Sequence, residues 1–243
     1  LIDWDEAYDS SLGLARFHPK DFYNTIDAPG PLANMVRQAA LSRNAFALKH
    51  PRTDDELGEL ILGGVDEDFG GSLVTLPLTN VSGGNDGVFN FYASCGWQVA
   101  ASCLSLGSYY DQPPLEIALD GYIAVFSNSY PDMMPPQAVA QQIARHLKLE
   151  NYLQDFSCDD RASFPNFTIA LGPKAHKIDL NPWQYMHEVI NPDERRRCTL
   201  PFTVLTKLEE HPNWIMLGAA FMASLYSEFD LDIGMISCKF ERG

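Results

Sequence analysis

The sequence predicts a mainly β protein with a few short helices. Three observations predict it. Short runs of Val, Ile, Leu, Thr, Phe and Tyr recur along the chain, turn residues separate them, and helical spacing of apolar residues holds in few places. The 17 glycines and 16 prolines among 243 residues are spread evenly, with no low-complexity tract and no internal repeat. With 46% hydrophobic residues, the chain can bury a sizeable core in one or two packed units.

The elements follow in order. Pro31 suits a first helical position, and Leu32, Met35, Val36, Ala39 and Ala40 recur behind it at helical spacing. Residues 45–49 read as a strand. Strands at 60–62 and 73–76 bracket Gly63-Gly64 and Gly70-Gly71. A turn at Gly83-Gly84-Asn85-Asp86-Gly87 leads into a strand at 88–92. Strands at 97–104, 115–119 and 122–126 come next. Pro135 and Pro136 then open a helix with Val139, Ile143 and Leu147 on one face. The last predicted strands are 167–171, 177–180, 202–205, 225–229 and 233–238.

Charge excludes some functions. Asp and Glu number 32 against 17 Lys and Arg, for a net charge of −15. The densest basic cluster, Arg195-Arg196-Arg197, is flanked by Asp193 and Glu194 and reads as a solvated loop. Phosphate contacts need concentrated positive charge, so nucleic acid is not an expected partner. The acidic balance favours solubility and suits work at low pH, where protonation relieves self-repulsion. The longest apolar stretch, 214–226, is too short and mixed to span a bilayer. Leu1-Ile2-Asp3-Trp4-Asp5 lacks the charged start and apolar run of a signal peptide.

Cys95, Cys103, Cys158, Cys198 and Cys238 form no C-x-x-C and have no paired His nearby, so neither a metal site nor a cofactor is implied. Asn80-Val81-Ser82 and Asn166-Phe167-Thr168 are glycosylation sequons. Together with the cysteines they point to the secretory pathway, as a secreted or vacuolar protein with disulfides. His18, His50 and His211 each precede Pro and read as turn residues, while His176 and His187 read as surface residues.

Several segments resemble the pepsin-like aspartic peptidases, in order and spacing. Tyr8-Asp9-Ser10-Ser11-Leu12-Gly13-Leu14-Ala15 is similar to that family's "YDGILGLA". The stretch from Gly58-Glu59-Leu60-Ile61-Leu62-Gly63-Gly64 through Gly71-Ser72-Leu73 resembles "GELVLGGID…GSL". Trp97-Gln98-Val99 resembles "WQI", and Leu180-Asn181-Pro182-Trp183-Gln184-Tyr185 resembles "LxPxxY". Leu217-Gly218-Ala219-Ala220-Phe221 and Tyr226-Ser227-Glu228-Phe229-Asp230 resemble "LGDxFLRxYYxxFD", with Ala219 in place of the Asp. Ile233-Gly234-Met235 resembles the terminal "VGLA" strand.

The resemblance implies a pepsin-like acid protease fold: two barrel-like β lobes around a cleft, each supplying one Asp from a D-T/S-G-T/S motif. Residues 1–76 would be the end of the N-terminal lobe with an interlobe strand, and 77–243 the C-terminal lobe. The chain would then be a heavy chain, with a separate N-terminal light chain as partner and a peptide or small molecule in the cleft. By position Cys158 and Cys198 would form the C-terminal lobe's disulfide, closing a loop worth roughly 3–4 kcal/mol in the loop-entropy model. Cys95 and Cys103 would join a hairpin or serve the light chain, leaving Cys238 as the odd cysteine.

The same alignment puts Asp120 where the second catalytic Asp belongs, behind Ala118-Leu119. Two such carboxylates share a proton, one activating water and the other protonating the leaving group. The residues after Asp120 depart from the pattern, reading Gly121-Tyr122-Ile123-Ala124 instead of Thr-Gly-Thr-Ser. Tyr122 is a second candidate proton donor, and Tyr122, Ile123, Ala124 and Met216 are candidate substrate-binding residues. Asp120 reads equally as a strand-end carboxylate with no chemistry. Three functions stay open: a two-chain aspartic endopeptidase, a catalytically silent binding protein, and an enzyme reusing the cleft for another acid–base reaction.

Overall fold

The computed structural model describes residues 12–16, 30–51, 56–64, 73–79, 96–190, 196–204 and 213–240. Within them the strands are β1 Ala45–Lys49, β2 Glu59–Leu62, β3 Val74–Pro77, β4 Trp97–Leu106, β5 Leu115–Phe126, β6 Phe156–Ser157, β7 Phe167–Leu171, β8 His176–Leu180, β9 His187–Ile190, β10 Arg196–Thr199, β11 Trp214–Leu217, β12 Leu225–Asp230 and β13 Met235–Phe240. The α-helices are short: α1 Pro31–Arg37, α2 Gln137–His146, α3 Pro182–Tyr185 and α4 Ala219–Met222. The mainly β fold is as the sequence predicts.

Three sheets result. One has the order β2-β1-β12-β13-β3 and is antiparallel throughout. It joins strands from the front of the chain to the last two. The second has the order β11-β5-β4-β7-β8, with β11 parallel to β5 and every other pair antiparallel. The third, β6-β10-β9, is small. An aromatic cluster links the first two sheets. Phe46 stacks on Phe229 at 4.8 Å, and Trp97 meets both edge-on at 5.5 and 5.0 Å. Each of these side chains is nearly fully buried, which stabilises the fold by roughly 1.5–3 kcal/mol apiece. The Trp97 indole N–H donates to the Leu14 carbonyl at 2.9 Å and so ties residues 12–16 to the sheet junction.

The Asn181-to-Tyr185 motif has a local explanation. The Asn181 side chain accepts from the Trp183 and Gln184 backbone N–H groups, and the Gln184 side chain accepts from the Asn181 N–H. This capping box, with Pro182 at the first helical position, is a local signal that starts α3. Tyr185, the motif's last residue, is buried and donates its hydroxyl to the Pro165 carbonyl at 2.9 Å.

Several elements differ from expectation. The strands expected at 115–119 and 122–126 are one strand, β5. The strand expected at 202–205 is absent among the described residues, where Phe202 makes a single bridge with Met133. The strand expected from 233 begins at Met235, because Gly234, with φ 67°, belongs to the preceding turn. The apolar stretch 214–226 breaks at Gly218 into β11, α4 and the start of β12. The expected strand at 88–92 lies outside the described residues. No helix among the described residues is long and apolar enough to cross a membrane.

Candidate functional site

The candidate site is built around β5. Before Gly121 its odd residues are inside: Ile117 and Leu119 are buried, while Glu116, Ala118 and Asp120 face out. After Gly121 the parity reverses, and Ala124 and Phe126 join the main core. The reversal comes from a bulge. Tyr122 lies opposite Ala101 and Ala118 opposite Cys103, so residues 119–121 face Ser102 alone. β4 reverses at the same place, from Val99 and Ala101 inside to Leu104 and Leu106 inside, so the two strands turn over together at a shared irregularity. Gly121 absorbs the misfit at φ 75°, a left-handed conformation that a Cβ disfavours.

Beyond the bulge β5 is buried on both faces, as it gains β11 as a second, parallel neighbour at residues 123–126. Ile123 and Val125 point away from the main core into a second apolar cluster with Met134, Trp214 and Met216, against which Tyr130 packs. The chain then loops over the corner where β11 meets α4. Ser127 N–H donates to the Leu217 carbonyl at 3.1 Å, and Ala219 N–H donates to the Tyr130 carbonyl at 2.8 Å. Met134 and Met216 exchange backbone hydrogen bonds at 2.9 and 3.1 Å. Gly218 sits under this loop. A Cβ there would stand 2.1 Å from the Asp132 carbonyl oxygen and 2.5 Å from that of Tyr130, so only glycine permits the approach.

The loop also carries an acid. Asp132 accepts from His187 Nε2 at 2.8 Å and from the Thr203 hydroxyl. The His187 hydrogen bond holds this carboxyl below its ordinary range; burial opposes that shift and Thr203 reinforces it. The three residues come from the loop after β5, the start of β9 and the segment after β10. They pin the small third sheet to the loop.

The sequence-predicted residues divide between two environments. Asp120 is exposed within the bulge of β5 and outside the β11 pairing, with no hydrogen-bond or ion-pair partner among the described residues. Tyr122 is half-buried against the main core, and Ala124 is fully buried within it. Ile123 and Met216 are brought together in the second cluster, both nearly inaccessible in this chain. The structure thus unites two of the candidate binding residues and leaves Asp120 apart from them.

The family model for eukaryotic aspartyl protease matches residues 7–238, nearly the whole chain. The chain belongs to the eukaryotic aspartyl protease family. No curated protein matches it.

On the loop that follows β5, Asp132 is already engaged by His187 and Thr203. Phe126 ends β5 at 3% exposure, edge-on to Phe221 at 5.8 Å and to Phe229 at 6.3 Å. Neither the Asp132 constellation nor the buried Arg161 was legible in sequence. Asp132 lies 55 and 71 positions from His187 and Thr203, and Arg161 lies 27 and 37 positions from Glu188 and Cys198, so no spacing signal marks these contacts. His187, read as a surface residue, is only partly exposed and is paired with Asp132.

The expected Cys158–Cys198 disulfide is present, joining the start of a 3-10 helix at Cys158–Ser163 to β10. Cys103 is free and half-buried, with Sγ 3.6 Å from a Glu116 carboxylate oxygen. Cys238 is free and buried, and burial pushes its thiol up to about 12. Cys95 and Asn80 lie outside the described residues, and Asn166 is exposed immediately before β7. Among the described residues, Cys158, Cys198 and Glu188 bring donor atoms within 4.8 Å of one another. Both sulfurs are consumed in the disulfide, so they offer no thiolate to a metal.

Proposed function

We propose that this aspartyl protease family member is a non-proteolytic binding protein, whose cleft holds an extended polypeptide without cutting it. One observation carries the reading: Phe126, not an acid, stands at the end of β5 beside Leu217-Gly218, buried among Phe221 and Phe229. Two apolar residues, Ala124 and Val125, precede it. Phe126-Ser127-Asn128-Ser129 then keeps both hydroxyl places of D-T/S-G-T/S while replacing the Asp and the Gly. A carboxylate at 126 would sit among aromatic rings, where burial disfavours its charged form. Asp120 is exposed, so it lacks the locked surroundings that a shared proton requires.

The reading includes a partner and a compartment. An N-terminal lobe would complete the cleft. It is supported by the β2 and β3 edges of the first sheet, which have no strand neighbour among the described residues. The disulfide and exposed Asn166 support passage through the secretory pathway, with Asn80 and Asn166 as glycosylation sites.

The test uses the chain together with its N-terminal lobe and fluorescein-labelled unfolded casein, at pH 3–5, with and without a pepstatin-type inhibitor. Anisotropy is expected to report binding while gels report no inhibitor-sensitive cleavage, and Asp120→Asn is expected to change neither. Inhibitor-sensitive cleavage abolished by Asp120→Asn would establish the endopeptidase instead.

A further inference from the structure

The disulfide at Cys158–Cys198 has surroundings that a purely structural crosslink does not need. Arg161 lies on the 3-10 helix that Cys158 begins, three residues on, so its side chain returns over the bridge. Its Nη2 is 2.7 Å from Cys198 Sγ and 3.9 Å from Cys158 Sγ. Arg161 is only 9% exposed, and its buried Nε has no hydrogen-bond partner. A guanidinium is always charged, and this one divides its contacts between the two sulfurs and the Glu188 carboxylate.

The two sulfurs differ in access. Cys198 is fully buried, whereas Cys158 is only half-buried and lines an open pocket of about 480 Å³, together with Arg161, Trp183, Glu188, Arg196 and Arg197. The pocket is large enough for a small organic thiol. Two carboxylates line the pocket, Asp159 and Glu188, and Glu188, which lies within 4.8 Å of both sulfurs, is engaged from two sides. Arg196 forks onto both its oxygens at 2.6 and 2.8 Å, and Arg161 reaches it at 3.2 Å. Arg197 is paired with Asp155.

We propose that Cys158–Cys198 is a thiol–disulfide exchange site for a low-molecular-weight thiol. The thiolate enters through the pocket and forms a bond to Cys158 Sγ. The Cys158–Cys198 bond breaks, and its electron pair leaves on Cys198 Sγ as a thiolate facing the Arg161 guanidinium. One disulfide is exchanged for another, so no further oxidant or reductant is involved. A leaving thiolate stabilised by a neighbouring cation departs faster, and access selects which sulfur is attacked. The reaction makes Cys158 the modified residue and Cys198 the free thiol, and it unties β10 from the 3-10 helix.

The test incubates the folded chain with reduced glutathione at pH 8, quenches with acid, and maps adducts by peptide mass spectrometry. One glutathione is expected on Cys158 and none on Cys198. Arg161→Met is expected to slow adduct formation about tenfold or more, Arg161→Lys to restore part of the rate, and Glu188→Gln to raise it. Near-UV circular dichroism checks that each variant is folded. If Arg161→Met is not, the site of the adduct in the native chain and the sign of the Glu188→Gln effect decide. An adduct on Cys198, no adduct at the bridge in the native chain, or a slower Glu188→Gln variant would overturn the proposal.

Discussion

Replacing Phe126 tests the core of the functional reading, because two variants separate the loss of a ring from the arrival of a charge. Phe126→Ala removes a ring that meets Phe221 and Phe229 edge-on and leaves a cavity. Truncation of a buried Phe costs about 3–5 kcal/mol, a large part of the roughly 5–15 kcal/mol that holds a domain folded. For a chain of this size that lowers the melting temperature by roughly 6–20 °C. Phe126→Asp suffers the same truncation and adds a carboxyl at a buried position among aromatic rings. Burial would raise its folded pKa above the ordinary value near ~3.9. The folded state then binds the proton more tightly than the unfolded one. Stability of Phe126→Asp is therefore greatest below pH ~3.9 and falls as pH rises towards the folded pKa, by about 1.4 kcal/mol for each pH unit that separates the folded and unfolded pKa values. Urea melts followed by near-UV circular dichroism at pH 3 and pH 7 measure this. The two variants are expected to be alike at pH 3, with Phe126→Asp clearly the weaker at pH 7. Equal stability at pH 7 would mean that position 126 is polar or hydrated, and the argument for a non-catalytic site would fail.

Other outcomes rest on the same structure. Asp132→Asn keeps the shape but loses the charge that His187 and Thr203 stabilise. Because the folded pKa of Asp132 is lowered, its contribution is present above the unfolded value and lost as pH falls through the folded one. Both side chains of the ion pair are partly exposed, so the difference between native and variant is expected to be about 1 kcal/mol at pH 6, vanishing in strong acid, as read from urea midpoints. Gly218→Ala is expected to prevent the loop at 127–134 from seating, giving a loss of more than about 3 kcal/mol or insoluble protein on expression. Removing the disulfide as Cys158→Ala with Cys198→Ala opens a loop spanning 40 positions, and the loop-entropy relation gives a loss of about 4 kcal/mol in chemical denaturation.

Much of the fold was legible in order along the chain. The capping box at Asn181 and Gln184 and the helical spacing of Val139, Ile143 and Leu147 are local signals, and both helices form there. Pairing was harder to read. β9 and β10 are mostly polar and charged, and they form a sheet through partners distant in sequence. β5 reads as two strands in the sequence, because Gly121 marks an interruption there but only a bulge in space. The same glycine explains why the site was hard to place. Asp120 lies before the reversal of faces, whereas Phe126, after it, is the residue that reaches β11.

By itself the sequence determined the mainly β character and the starts of two helices, and through its ordered motifs the family, whose resemblance implied the Cys158–Cys198 disulfide. Each of these is carried by residues close in sequence or by motifs in a set order. Only the tertiary structure decided which face each half of β5 presents and what covers the end of that strand. It alone brought Asp132 to His187 and Thr203, and Arg161 to the disulfide sulfurs. These are contacts between segments far apart in the chain. Their energies depend on burial and approach distance, which no pattern along the chain encodes.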